Sequence, residues 1–501
     1  MDLLSFTFLF VVTSITLIYI IAKWKYTYWK KRGVVYMEPS FPLGNLPLKM
    51  TSFPDFMRDA YKYKEKSPFV GVYFIAKPVV LLIQLDLIQN ILVKDFSSFH
   101  DRGMYVNEDF DPLSASLFNL DGEKWKFVRS KLSPTFTSGK MKYMFSTVVG
   151  VAERFANTMS DIVRTESETQ LKDLLGRYTT DVIGTYAFGI ECDSLKDPNF
   201  IFRHYGRKVA EEPNLNPIVH FLVTIYPNLA RKLKIRTIGK DVTEFFIETV
   251  RKTIQYREEN NVQRNDFMDL LIQINKDVEK NVGQSETSRR LTLEEMAAQA
   301  FLFFVAGFET SSTTMIFCLY ELALNQDIQE RSRQEINDVL KKHNNKLTYE
   351  AMQEMTYLEM IIKETLRKYP PILGLIRKAV RDYPVPNSNL IIEKGKEVFV
   401  PSYTIQHDPE IYPNPDVFDP ERFTPKEEKK RHPMSFLAFG EGPRNCVGFR
   451  FGKMQTRIGL IELLKNFQFS PCPKTPIPMV FDPYKGILSP KGGLFLEVKR
   501  I

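Results

Sequence analysis

A mainly α chain behind one N-terminal transmembrane helix, with a β-hairpin ahead of the helical bulk, is the architecture this sequence predicts. Three observations predict it: an uncharged apolar run at the start, strand-like residues over Phe69–Ile83, and amphipathic helical spacing through most of Lys140–Asn275. No Gly/Ser-rich or Pro-rich linker separates blocks within the 501 residues, and no internal repeat is evident. The expected division is an anchor over 1–22, a basic flank with a proline-containing hinge over 23–45, and one large domain over 46–501. Hydrophobic residues are 44% of the chain and 39 residues are phenylalanine, enough for that core and for an aromatic-lined pocket.

Composition excludes several classes of function. Cys192, Cys318, Cys446 and Cys472 lie far apart without Cys-x-x-Cys spacing, which argues against a zinc site or a disulfide scaffold and suits a reducing compartment. The net charge of +8 suits an anionic membrane surface or an acidic protein partner. No cluster of basic residues marks a nucleic-acid footprint.

Leu3–Ala22 is about 20 nearly uncharged residues, enough as a helix to cross a roughly 30 Å hydrocarbon core. Asp2, the length of the run and the lack of a small-residue cleavage site argue against a cleaved signal peptide. Lys23, Lys25, Lys30, Lys31 and Arg32 form a stop-transfer flank that places the body on the cytoplasmic side. Trp24, Tyr26, Tyr28 and Trp29 suit the headgroup layer. Glu38–Asn45, with two prolines, reads as a non-helical connector. A short helix over Leu87–Phe96, a long loop over Gly103–Asn119 and a helix over Asp121–Leu132 follow. Tyr178–Phe188 is apolar enough for a core helix. Glu211–Asn228, with three prolines, reads as a mobile cap, and Glu279–Arg290 as an exposed loop.

Four stretches concentrate polar chemistry. Trp125 and Arg129 share a helix face, where their two donors could hold a carboxylate; a surface arginine beside a core tryptophan fits equally well. Thr292 and Glu295 cap a long helix on which Phe303, Ala306, Gly307, Thr310 and Thr314 form one stripe. Small at its centre, that stripe admits either a flat ligand or close helix packing, and Thr310 and Ser311 can bond back to carbonyls one turn earlier. Glu364 and Arg367 can pair on a helix over Tyr357–Tyr369, with Pro420-Glu-Arg-Phe423 much later. Last comes Phe439-Gly-Glu-Gly-Pro-Arg-Asn-Cys-Val-Gly448, ahead of a helix with Val447, Phe451, Met454, Ile458 and Ile461 on one face. Cys446 sits where that helix would begin, a position that favours thiolate, although most free cysteines are buried small hydrophobes.

The spacing Phe-x-x-Gly-x-Arg-x-Cys-x-Gly over 439–448 resembles the haem-binding signature of the cytochromes P450 at every fixed position. Trp125–Arg129 resembles the family's C-helix motif, and Ala306-Gly-x-Glu-Thr310 its I-helix motif, with Glu309 where many members have Asp. Glu364-x-x-Arg367 and Pro420–Phe423 complete the pattern in the family's order. Phe99–Gly103, Asp111–Ser114 and Ala306–Thr310 resemble the microsomal, insect family-six, xenobiotic-metabolising type.

The resemblance implies a mainly α fold with a smaller β-rich subdomain, and haem b between the central helix and the cysteine loop. Cys446 would ligate the iron. Arg444, Trp125, Arg129, Arg377 and Arg102 would hold the propionates, and Phe439, Ala306 and Gly307 would also contact the cofactor. Glu309 and Thr310 would manage protons, and Arg422 would join Glu364 and Arg367 in a structural cluster. The implied reaction inserts one atom of O2 into an apolar small molecule. Electrons would come from NADPH-cytochrome P450 reductase at the endoplasmic reticulum membrane, with cytochrome b5 as a further donor. Lys126, Lys131, Lys140 and Lys453 are candidates for docking the reductase, and Phe301, Phe304 and Val305 for lining the substrate pocket. Two other classes compete: a haem-thiolate isomerase or dehydratase acting on peroxides, and a non-catalytic haem-containing binder of hydrophobic compounds. Thr310 weighs against both, and Glu309 and the basic surface against the first.

Overall fold

Apolar spacing and turn chemistry divide this chain into helices and short strands. The computed structural model describes residues 3–47, 53–211, 216–264, 266–280, 289–483 and 485–501. The helices that matter below are α1 (Leu3–Lys25), α2 (Gly122–Leu132), α3 (Ser138–Thr165), α4 (Leu171–Ile183), α5 (Lys240–Glu259), α6 (Leu293–Leu324), α7 (Thr356–Lys368) and α8 (Phe449–Asn466). The strands are β1 (Phe69–Phe74), β2 (Lys77–Leu82), β3 (Glu168–Gln170), β4 (Leu375–Lys378), β5 (Glu397–Val400), β6 (Phe467–Ser470) and β7 (Phe495–Arg500). They fall into two units: the first holds 1–103, 372–413 and 431–445, the second 104–371, 414–430 and 446–501.

In the first unit the expected hairpin forms as β1 and β2, antiparallel from Phe69↔Leu82 to Phe74↔Lys77. β2 pairs parallel with β5, and β5 antiparallel with β4, giving the order β1-β2-β5-β4. β1 is buried almost continuously, because side chains cover both of its faces. One cover is Trp29, whose ring fills the space a side chain on Gly71 would need and whose Nε1 donates to the Val72 carbonyl at 3.1 Å. Tyr73 Oη accepts from Trp29 N at 3.1 Å and donates to the Tyr26 carbonyl at 2.8 Å. Tyr26 and Trp29 (2% exposed) are therefore core residues and not headgroup anchors; of the four aromatics only Trp24, 67% exposed, remains free for that layer. α1 is long and apolar enough to cross a membrane.

In the second unit α6 also passes that length and composition test, but it is largely buried and forms the core helix. It starts where the sequence places it: Glu295 N donates to Thr292 Oγ1 at 3.2 Å, and Thr292 N to Glu295 Oε2 at 3.0 Å. Such a cap is worth about 1 kcal/mol. α4, α5 and α8 pack on α6, and a three-stranded sheet in the order β3-β7-β6 flanks them. Pro217 and Pro227 interrupt the helical run, as the sequence suggests. Each opens a helix, Pro217–Ile225 and Pro227–Lys232, since proline lacks only the N–H that a first helical turn leaves unused. Pro213 and most of the loop expected over Glu279–Arg290 lie outside the described residues.

The charge cluster read from the sequence is also present in this unit. Arg367 grips Glu364 with two bonds, Nε to Oε2 at 2.7 Å and NH2 to Oε1 at 2.8 Å, and both side chains are fully buried. Arg422 Nε lies 3.4 Å from Glu364 Oε1, and Asp419 N donates to the same oxygen at 3.0 Å. Burial pushes the Glu364 carboxyl up, against the pull of Arg367, the Asp419 N–H and Arg422. Arg367→Ala should strand that carboxylate and cost ~3–5 kcal/mol, measured as a lowered urea midpoint of the second unit's helical signal.

Candidate active site

A 32-residue helix buried on most of its surface has few places to meet a ligand, so the places where α6 opens are informative. Ala306 is exposed, and Val305, Gly307 and Thr310 are half-buried, whereas Phe304, Phe308 and Glu309 are buried. Thr310 Oγ1 donates to the Ala306 carbonyl at 2.7 Å, so the hydroxyl sits at the open position. Thr314 repeats the bond one turn on, to the Thr310 carbonyl at 2.8 Å. Gly307 serves a different purpose: a Cβ there would press on Ile183 of α4, 2.9 Å from Cγ1 and closer still to Cδ1. Its missing side chain answers to helix packing, and the opening belongs to Ala306. Phe301 and Phe304 sit in an aromatic cluster with Phe246, at ring distances of 5.1 and 5.4 Å.

Cys446 is exposed and free of any disulfide, while Cys192 and Cys318 are buried. The helix after it starts at Phe449 with Gly448 as N-cap, slightly later than the sequence suggested. Phe451, Met454, Ile458 and Ile461 form its buried face as expected. On α2, Trp125 is buried and Arg129 half-buried. Burial pulls the Arg129 guanidinium below its usual range while a Cys446 thiolate pulls the other way, so these two groups feel each other within the second unit. Among the lysines proposed for docking, Lys126 is paired with Glu123 at 2.6 Å and Lys453 with Glu359.

Three of the predicted arginines meet in the first unit. Arg444 Nε donates to the His100 carbonyl at 2.7 Å, and Arg102 NH2 reaches the Arg444 carbonyl at 3.4 Å. Lys378 N bonds the Asp101 carbonyl at 2.8 Å, which holds β4, and with it Arg377, against this segment. Arg377 is 1% exposed, and its Nε has no hydrogen-bond partner among the described groups. Burial, reinforced by the like charge of Arg444, pulls the Arg377 guanidinium well below the usual arginine range. Phe439 is half-buried in the same unit. Gly442 takes φ +74° and lies so close to the Leu92 carbonyl oxygen that any side chain would overlap it, which fixes the loop ahead of Cys446.

Two residues escaped the sequence reading. Ile183 explains Gly307 from another helix, and Gln455 of α8 donates from Nε2 to the Gly307 carbonyl at 2.7 Å. The local signal for the second was an amide set among Phe451, Ile458 and Gly459.

The second unit thus carries an exposed cysteine and one opening on its core helix, and the first unit two buried arginines. A family model described as Cytochrome P450 matches residues 39–498, and the chain belongs to that family of haem b monooxygenases. It is 46% identical to the Drosophila melanogaster protein named "Probable cytochrome P450 6a18", with all of both chains aligned. It is 43% identical to cytochrome P450 6A1 of Musca domestica, over 98% of this chain and 97% of the other. Its identity to cytochrome P450 6a2 of Drosophila melanogaster is 46%, over 95% and 96%.

Gly307→Ala should cost about 1–3 kcal/mol by overpacking against Ile183, and Ile183→Ala in the same chain should restore part of the loss. Thermal unfolding of the two single variants and the double variant measures this coupling.

Proposed function

We propose that this enzyme oxidises apolar small molecules, xenobiotics among them, at the endoplasmic reticulum membrane with its catalytic body facing the cytosol. Electrons come from NADPH through a flavoprotein reductase, with cytochrome b5 as an accessory donor. The observation that carries the reading is the opening at Ala306 and Thr310 on a buried helix, in the same unit as the exposed Cys446 thiol.

The residues present fit haem b. Cys446 would supply one soft thiolate ligand to the iron, and the half-buried Arg129 favours that thiolate. Arg377, buried beside a like charge and with an unpartnered Nε, is the kind of cation that a carboxylate such as a propionate satisfies. Arg444, Arg102, Trp125 and Arg129 are assigned the same role, and Phe439, Ala306 and Gly307 are assigned to cofactor contact. When bound, haem supplies the redox centre at which O2 is reduced and one oxygen atom is transferred to substrate.

The chain's own residues then manage protons and water. Thr310 Oγ1, parked on the Ala306 carbonyl, can turn its proton toward the open side while keeping a lone pair for a water. Glu309, buried on the adjacent position, is the acidic partner that resupplies that proton. The apolar cluster around Phe301 and Phe304 excludes bulk water and favours apolar substrates. α1, with basic residues in its last turn, supports the cytosolic orientation.

The dithionite-reduced, carbon monoxide-bound protein should show the strongly red-shifted Soret band of thiolate-ligated haem, and Cys446→Ser should lose it. Thr310→Ala should divert reducing equivalents to peroxide and lower product formation by up to about 100-fold. The Thr310→Ala effect is read in an assay with reductase and NADPH; turnover on an organic hydroperoxide alone, without them, would favour an isomerase.

A further inference from the structure

Gln455 lies on the buried face of α8, the helix that follows Cys446, and is fully buried. One turn away are Phe451, Ile458 and Gly459, so packing alone does not ask for an amide. Its Nε2 donates to the Gly307 carbonyl at 2.7 Å and to Ser311 Oγ. Its Oε1 is buried and has no hydrogen-bond partner among the described groups. A methionine would occupy nearly the same volume and leave no polar atom unsatisfied. The glutamine therefore contributes its N–H groups, directed at one turn of α6.

That turn is the one that carries Thr310. The Ala306 carbonyl takes the Thr310 hydroxyl at 2.7 Å, and the next carbonyl, that of Gly307, takes Gln455. Two successive carbonyls thus each accept a side-chain donor, one from α6 itself and one from α8. Donors inserted in this way tilt carbonyls away from the helix axis and set the local bend. α8 is itself held in place, because Tyr178 Oη donates to the Gln455 carbonyl at 2.8 Å and Gly459 lies against Tyr178 and Met315.

We propose that Gln455 is a positioning residue for proton delivery. By holding the Gly307 carbonyl it fixes the Ala306–Thr310 turn, and so places the Thr310 hydroxyl from the helix that follows the cysteine ligand. The proposal rests on the role assigned above to Thr310.

The test uses full-length holoenzyme with Gln455→Met, Ser311→Ala and Thr310→Ala, and reads two quantities. Amide hydrogen exchange over residues 300–315 should accelerate about five-fold in Gln455→Met, the factor that one lost hydrogen bond is worth. The peroxide-to-product ratio should rise several-fold with KM unchanged, while Ser311→Ala, which leaves the Gly307 bond in place, should shift it less than about two-fold. Gln455→Asn keeps the amide but withdraws it by one methylene, and should reproduce both effects if the methionine variant does not fold. Normal exchange and an unchanged ratio in a Gln455 variant that loads haem would overturn the proposal. If Thr310→Ala itself leaves the ratio unchanged, the underlying role of Thr310 fails; if it uncouples while both Gln455 variants do not, only the positioning role fails.

Discussion

The close approach of α4, α6 and α8 is the constraint on which the rest of the second unit depends. Two residues without side chains permit it. Gly307 makes room for Ile183, and Gly459 for Tyr178 and Met315. A glycine inside a helix costs about 1 kcal/mol relative to alanine, so each must return more through packing than it loses in propensity. Part of the return is visible at Tyr178, which stacks on Phe155 with ring centres 4.9 Å apart and donates to α8 from its hydroxyl. Once α6 is wedged in this way its rotation is fixed, and Ala306 is left as its open position.

The two units treat buried charge in opposite ways. In the second, Glu364 collects Arg367, Arg422 and a backbone N–H, so the cluster is closed and its function is architectural. In the first, Arg377 and Arg444 are both buried, and burial together with the like charge of Arg444 pulls the Arg377 guanidinium down.

Much of this was legible in the sequence, because local chemistry announces local structure. Thr292 and Glu295 marked the start of α6, and the apolar spacing after Cys446 marked the buried face of α8. Long-range partners were not legible. Nothing around Gly307 says that Ile183 will fill its place, and nothing around Trp29 points to the slot at Gly71. The prolines at 217 and 227 marked breaks in the helical run, and each break is also a start, because a residue that ends one helix is equally suited to begin the next. Gln455 was visible only as a polar residue among apolar neighbours one turn away, and its donor role needed the position of a second helix. The arginines at 102, 377 and 444 were each readable as solvated surface residues, and only the pairing of the 100–102 segment with β4 brings them together.

The burial of Trp29 under β1 has a mechanical consequence. Because the chain is stitched into the sheet so soon after α1 ends, little slack separates α1 from the folded body. Tilting or rocking of α1 is therefore transmitted as torque to β1 and β2 and not absorbed by a swivel. Arg32 and Tyr28 reinforce the splice by sharing Glu393 at 2.7 and 2.6 Å. A cut within α1 leaves Trp29 seated over Gly71, whereas a cut beyond Trp29 removes that plug from the sheet.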